Sequence, residues 1–142
     1  SAASDVYKRQ VQTVLNPAPA NKPTDVLLEN TSWFIPNEVE FEEIYGEVFN
    51  EDNLLLFAND LKTNVVVTLG EKGCAYIKNN SVEIMNTDTV KAVDTTGAGD
   101  AFVGAFSFGV ASKLEIEECL KLALQKATDS VTKKGTQSSY KN

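Results

Sequence analysis

The run Asn64-Val65-Val66-Val67-Thr68-Leu69 constrains the fold more than any other stretch of this chain. Three consecutive valines favour extended backbone, because two heavy atoms on each Cβ crowd a helical turn and fit a pleated surface. The run is uninterrupted and closed by Gly70, which predicts a strand. Ser32-Trp33-Phe34-Ile35 is a second apolar run, of buried-strand length, stopped by Pro36-Asn37. Val11 to Leu15 is a third, shorter candidate, stopped by the proline-punctuated Asn16-Pro17-Ala18-Pro19.

Between and after these runs the period changes to that of helices. Glu38 to Glu47 alternates acids with Val39, Phe41, Ile44 and Tyr45, with negative charge in its first turn. Asp52 to Leu61 carries Leu54, Leu55, Phe57, Ala58 and Leu61 on one side. Cys74 to Ile77 and Val82 to Ile84, separated by Lys78-Asn79-Asn80-Ser81, predict an antiparallel hairpin. Ala98 to Val110 is apolar nearly all round, which predicts a buried helix. Ile116, Leu120, Ala123 or Leu124, Ala127 and Val131 mark one face of a second long helix. Lys133 to Ser139 is polar, contains Gly135 and reads as a loop. Ser1 to Gln10 continue no periodicity and read as a foreign or disordered tail, leaving 11–142 as the folding unit. Strands alternating with helices predict an α/β fold, a mostly parallel sheet covered on both faces. Ligands gather at the carboxyl ends of the strands in such sheets.

Composition narrows the chemistry. The 142 residues fall in the one-domain range, with 42% hydrophobic and 23% charged residues. A net charge of −7 argues against nucleic acid or an anionic membrane surface as partner. The sequence has no histidine, which excludes Ser-His-Asp, Cys-His and His-ligated zinc chemistry. Cys74 and Cys119 stand far apart among apolar neighbours and read as buried reduced thiols. No apolar run reaches membrane-spanning length, so the expected compartment is the cytoplasm, with the nucleus open to it.

Asp94-Thr95-Thr96-Gly97-Ala98-Gly99-Asp100 sits at the mouth of the apolar helix. Two glycines there bare backbone N–H groups at a positive helix end, beside a carboxylate. The amides suit a phosphate and the carboxylate can take a proton from an attacking hydroxyl. Glycine pairs opening helices are also often simple turns. Asn37 and Glu40, three apart where a strand gives way to a helix, could hold hydrated magnesium, or equally form a helix cap. In Thr68-Leu69-Gly70-Glu71-Lys72-Gly73 the glycines permit close approach of a nucleotide, and a hairpin turn explains them equally well. Lys133 and Lys134 read as solvated charges near a helix end.

Taken together, these segments make the chain resemble the carboxyl-terminal half of the ribokinase-like carbohydrate kinases, over roughly residues 12 to 140. The resemblance rests on Leu15-Asn16-Pro17-Ala18-Pro19-Ala20, Asn37-x-x-Glu40, Thr68 to Gly73, Asp94 to Asp100 and Lys133 to Ser139, in the family's order. It implies ATP-dependent phosphorylation of D-ribose at its 5-hydroxyl, with magnesium and an activating potassium ion. Asp100 would be the catalytic base, also touching the sugar, and Gly97, Ala98 and Gly99 the anion hole. Asn37, Thr68, Gly70, Glu71, Gly73 and Gly99 would line ATP, and Glu40 would hold magnesium through water. Asp94, Thr96, Ser130, Lys133, Gly135 and Ser139 would hold potassium, with Asp94 also close to the sugar. Leu124 stands where bacterial relatives commonly present an asparagine to the adenine pocket. The family's amino-terminal half has no counterpart here, nor does the small β lid, through which the full-length protein is expected to form a homodimer. The fragment alone is therefore expected to be inactive, with an exposed edge strand and apolar face. Another sugar or nucleoside kinase of the same superfamily, and a non-catalytic nucleotide-binding fragment, are the alternatives.

Overall fold

The structure is a computed structural model that describes residues 12–17, 27, 31–87 and 97–131, together with the helical backbone of 132–140. Its strands are β1 (Val14–Leu15), β2 (Trp33–Phe34), β3 (Asn64–Val65), β4 (Val67–Thr68), β5 (Cys74–Lys78) and β6 (Ser81–Met85). Its helices are α1 (Glu38–Tyr45), α2 (Glu51–Leu61), α3 (Ala98–Ala111) and α4 (Ile116–Tyr140), and a 3-10 turn covers Gly70–Lys72.

The valine-rich run is the hinge of the sheet. Its first part, β3, pairs parallel with β2, which pairs parallel with β1. Its second part, β4, pairs antiparallel with β5, which continues antiparallel to β6. The break between β3 and β4 falls at Val66, whose N–H still donates to the Phe34 carbonyl at 3.0 Å. Thr68 N–H donates to the Pro36 carbonyl at 3.0 Å, and an isolated parallel bridge joins Asn37 to Thr68. One run of backbone therefore has β2 along one side and β5 along the other, and the expected single strand is two short pieces of it. The β5–β6 hairpin closes on Asn79 and Asn80, both left-handed at φ 53° and 60°. Asparagine tolerates that region, and two positive-φ residues match the twist of the flanking strands.

Alternate residues of the strands leave on opposite faces, as the two-residue period requires. Phe34, Val65, Val67 and Ala75 pack with Phe41 and Ile44 of α1 and Leu54, Phe57 and Ala58 of α2. Trp33, Ile35, Val66, Cys74 and Tyr76 pack with Phe102 and Phe106 of α3 and Cys119, Leu120, Ala123 and Leu124 of α4. Helices thus cover both faces, as the sequence predicts. The thiols of Cys74 and Cys119 are free and buried; burial pushes the first up to about 12 and also raises the second.

Two expectations are corrected. Helix α3 is not enclosed: Phe102, Phe106 and Gly109 are buried, but Phe108 is 66% exposed. Through its buried residues α3 packs on the sheet and on α4. Residues 133–139 do not form a loop but continue α4 to Tyr140. The stretch contains no proline, and one interior glycine costs only about 1 kcal/mol, too little to stop a helix already propagating. Among the described residues no helix is long and apolar enough to cross a membrane.

Candidate active site

Helix α3 opens without a side-chain cap. Its N-cap, Gly97, has φ −96° and ψ −6°, and no side chain bonds the first turn. The first intrahelical bond runs from Ala101 N–H to the Gly97 carbonyl at 3.0 Å. The N–H groups of Ala98, Gly99 and Asp100 therefore lie at the positive end of a 14-residue helix with no acceptor supplied by the helix itself. Gly97 and Ala98 are half-buried, whereas Gly99 and Asp100 are exposed. A Cβ on Gly99 would meet nothing within 4 Å, so packing does not demand glycine there. Gly99 thus adds no side chain to the first turn, and Asp100 sets a carboxylate in the same turn.

Asn37 and Glu40 form a reciprocal capping box at the start of α1. Asn37 Oδ1 accepts from Glu40 N–H at 2.7 Å, and Glu40 Oε1 accepts from Asn37 N–H at 2.8 Å. The cap is a structural role, and it occupies one polar atom of each side chain. Glu40 Oε2 and the Asn37 side-chain amide keep their capacity for a ligand. The bridge from Asn37 to Thr68 sets this cap against the carboxyl end of β4, so Asn37, Glu40 and Thr68 come together.

Beyond Thr68 the chain turns through Gly70 at φ +62°, exposed Glu71 and Gly73 at φ +100°. Leu69 N–H donates to the Gly73 carbonyl at 2.8 Å and closes the turn. At Gly73 a Cβ would lie 1.9 Å from the Met85 carbonyl oxygen, so this glycine is required by the crossing of β6. Gly70 has open space around its α-carbon, and only its left-handed φ favours glycine there. The turn is thus accounted for by backbone geometry, and it also stands at the carboxyl edge of the sheet, where ligands collect.

Of the potassium set, Asp94 and Thr96 lie outside the described residues. Lys133, Gly135 and Ser139 fall on the backbone of α4. Ser130, half-buried on α4, lines the same groove as Ala101 at the start of α3. The Thr87 and Thr128 hydroxyls meet at 3.1 Å, tying the chain just after β6 to the stretch of α4 that lines that groove. No hydrogen bond or ion pair among the described residues joins the mouth of α3 to Asn37 or Thr68. Leu124, expected at the adenine pocket, is 7% exposed and belongs to the core beneath α4.

Sequence reasoning did not pick out the contact that seats α4 on β5. Glu117 accepts from Lys78 Nζ and lies 3.4 Å from the Tyr76 hydroxyl. The Lys78 ammonium holds the Glu117 carboxyl below its usual range, and Glu117 holds Lys78 above its own. Burial, then the Glu117 charge, raises Tyr76. Tyr76 and Lys78 leave β5 on the same side, two residues apart, but Glu117 comes from α4, 39 to 41 residues away, so local pattern carries no signal of the contact.

The family model described as pfkB family carbohydrate kinase matches residues 2–142. A deoxyribokinase of Salmonella typhi is 38% identical over 139 residues, 94% of this chain and 45% of its own length. A ribokinase of Haemophilus influenzae is 37% identical over 143 residues, 97% of this chain and 47% of its own. The structure of Arabidopsis thaliana ribokinase complexed with ribose and ATP superposes with a TM-score of 0.76 at 28% identity, over 92% of this chain and 44% of that one. The chain spans less than half the length of these relatives. With two-faced sheet, uncapped glycine helix mouth and matched motif all in place, the chain belongs to the pfkB family of carbohydrate kinases.

Proposed function

We propose that this chain supplies the phosphoryl-handling part of a kinase that transfers the γ-phosphoryl group of ATP to the 5-hydroxyl of D-ribose. The observation that carries the reading is the uncapped start of α3, with Asp100 exposed in its first turn. A loose phosphoryl transition state spreads charge over its equatorial oxygens and needs alignment and N–H donors more than a strong base. The amides of Gly97, Ala98 and Gly99 meet that charge, and the Asp100 carboxylate accepts the proton of the sugar hydroxyl as it attacks. Asn37, Thr68, Gly70, Glu71 and Gly73 line the nucleotide. The ribose-and-ATP complex of the Arabidopsis relative supports this pair of substrates.

Magnesium fits the residues present: Glu40 offers the carboxylate oxygen that the capping box leaves over, the hard donor such an ion takes through water. Bound there it would neutralise phosphate charge. Potassium does not fit the backbone as it stands. Within α4 the carbonyls of Lys133 and Gly135 accept from N–H groups four residues on. A potassium site built on Asp94, Thr96, Ser130, Lys133, Gly135 and Ser139 requires that stretch to leave the helix. A full-length homodimer in the cytoplasm completes the proposal.

The test is ribose-dependent ADP release by the full-length protein carrying this segment. Asp100→Asn is expected to lower turnover by about 10²- to 10⁴-fold while heats of ATP binding stay nearly unchanged. Normal turnover by that variant would overturn the base. The Salmonella relative favours a second acceptor, 2-deoxyribose, and a panel of ribose, deoxyribose, fructose and adenosine decides the sugar. The 142-residue chain alone is expected to release no ADP in response to ribose.

A further inference from the structure

Of the four tyrosines in the chain, one stands among acids. Tyr45 follows Glu42, Glu43 and Ile44 and precedes Gly46, Glu47 and Val48. Tyr7 is followed instead by Lys8 and Arg9, and Tyr140 by Lys141. Tyr76 is buried, with Lys78 two residues on. Tyr45 is the last residue of α1, and Gly46 caps that helix in left-handed backbone at φ 87°. Its ring is half-buried, with the Phe41 centroid 5.6 Å away and the Phe57 centroid 5.2 Å away. Its hydroxyl takes no part in that packing. No buried side-chain oxygen among the described residues lacks a hydrogen-bond partner; the Tyr45 hydroxyl has none among them, so it reaches water. Glu43, Glu47 and Val48 beside it are exposed, Val48 at 64%.

We propose that Tyr45 is a phosphorylation site, the substrate of an acid-directed protein tyrosine kinase, and that its phosphate undoes the last turn of α1. Glu42, Glu43 and Glu47 present negative charge to a basic cleft of that enzyme, and Val48 adds an exposed apolar side chain just beyond the acceptor. Tyr45 Oη bonds to the γ-phosphorus of ATP as the bond from that phosphorus to the β–γ bridging oxygen breaks. ADP leaves, and the phenol proton passes to the base of the modifying enzyme. The product carries about 1.5–2 further negative charges at pH 7. They fall at the negative end of α1, whose last turn holds no basic residue to receive them. Glu42, which accepts from Phe49 N–H at 2.8 Å, stands in the same turn. Repulsion there favours water over the Phe41 and Phe57 rings for the modified side chain. An eight-residue helix that loses its last turn keeps about one turn, so the Asn37–Glu40 box at its start loses support.

Incubation of the 142-residue chain with an acid-directed protein tyrosine kinase and magnesium ATP tests the site, with phosphate located by peptide mass spectrometry. Phosphate is expected on Tyr45, approaching one per chain, and Tyr45→Phe is expected to lower incorporation at least tenfold. Glu43→Gln and Glu47→Gln together remove two exposed charges and should slow incorporation at least tenfold, with the circular dichroism spectrum unchanged. The modified chain should melt about 4 °C or more below the unmodified one. Tyr45→Phe, treated in the same way, should melt where it did before treatment. Three results would overturn the proposal: phosphate on Tyr7, Tyr76 or Tyr140 in preference to Tyr45, a rate indifferent to the two acids, or a modified chain whose melting temperature does not move. None of these readouts depends on sugar phosphorylation, so ribose-dependent ADP release by the full-length protein stands or falls separately.

Discussion

Gly46 and Gly73 both hold left-handed backbone, at φ +87° and +100°, yet they answer to different constraints. A Cβ on Gly46 meets nothing within 4 Å, so Gly46→Ala is expected to cost only the left-handed penalty, about 1 kcal/mol. A Cβ on Gly73 would strike the Met85 carbonyl, so Gly73→Ala adds a displacement of β6 and is expected to cost at least about 2 kcal/mol. Urea midpoints of the two variants check the ordering, and equal losses would remove the close approach as the reason for Gly73. At this scale the sequence is partly legible. Asn37 and Glu40 read as either cap or ligand pair, and the structure shows the cap while leaving one oxygen of Glu40 over. Gly97 to Asp100 read as a helix mouth because the determinants, two absent side chains and a first-turn acid, lie within four residues.

Elements were legible where their signals are local. The cap at Asn37, the Asn79-Asn80 turn and the period of α2 all depend on neighbours a few residues away. The length of α4 was not legible, since polar residues and one glycine weaken a helix without stopping it. Nor was the way α4 sits on β5 through Lys78, Glu117 and Tyr76. That contact yields a pH dependence with a definite sign. Glu117 titrates below its ordinary 4.5 in the folded chain, chiefly through its hydrogen bond from Lys78. Its contribution is therefore present above 4.5 and lost as pH falls through the lower, folded value. Lys78 and Tyr76 are both raised, so their contributions persist in neutral solution and are lost on the alkaline side. Melting temperatures from pH 7 down to about 3 should fall more steeply for the unaltered chain than for Glu117→Gln, closing the gap between them. A gap that stays constant across that range would mean the ion pair does not seat α4.

At the scale of the molecule, the sheet divides the core into two clusters that share no helix. Phe34 and Phe106 are each fully buried, one on either face. Phe34→Ala and Phe106→Ala are each expected to cost about 3–5 kcal/mol in urea unfolding. The double variant, near the whole stability of an ordinary domain, should be unfolded in buffer by circular dichroism. A tolerated double substitution would mean that one cluster is not part of the cooperative core. The sequence by itself determined what depends on short-range sterics: the strand runs, the helix starts, the hairpin turn and the glycine mouth of α3. Tertiary structure alone decided how those pieces meet. It set which alternate residues face which helices, joined Asn37 to Thr68, and left the Ala101–Phe108 side of α3 uncovered. Backbone preference acts within a few residues, whereas burial is settled by partners brought in from other elements of the chain. An all-round apolar helix therefore announces that it is to be enclosed without saying by what.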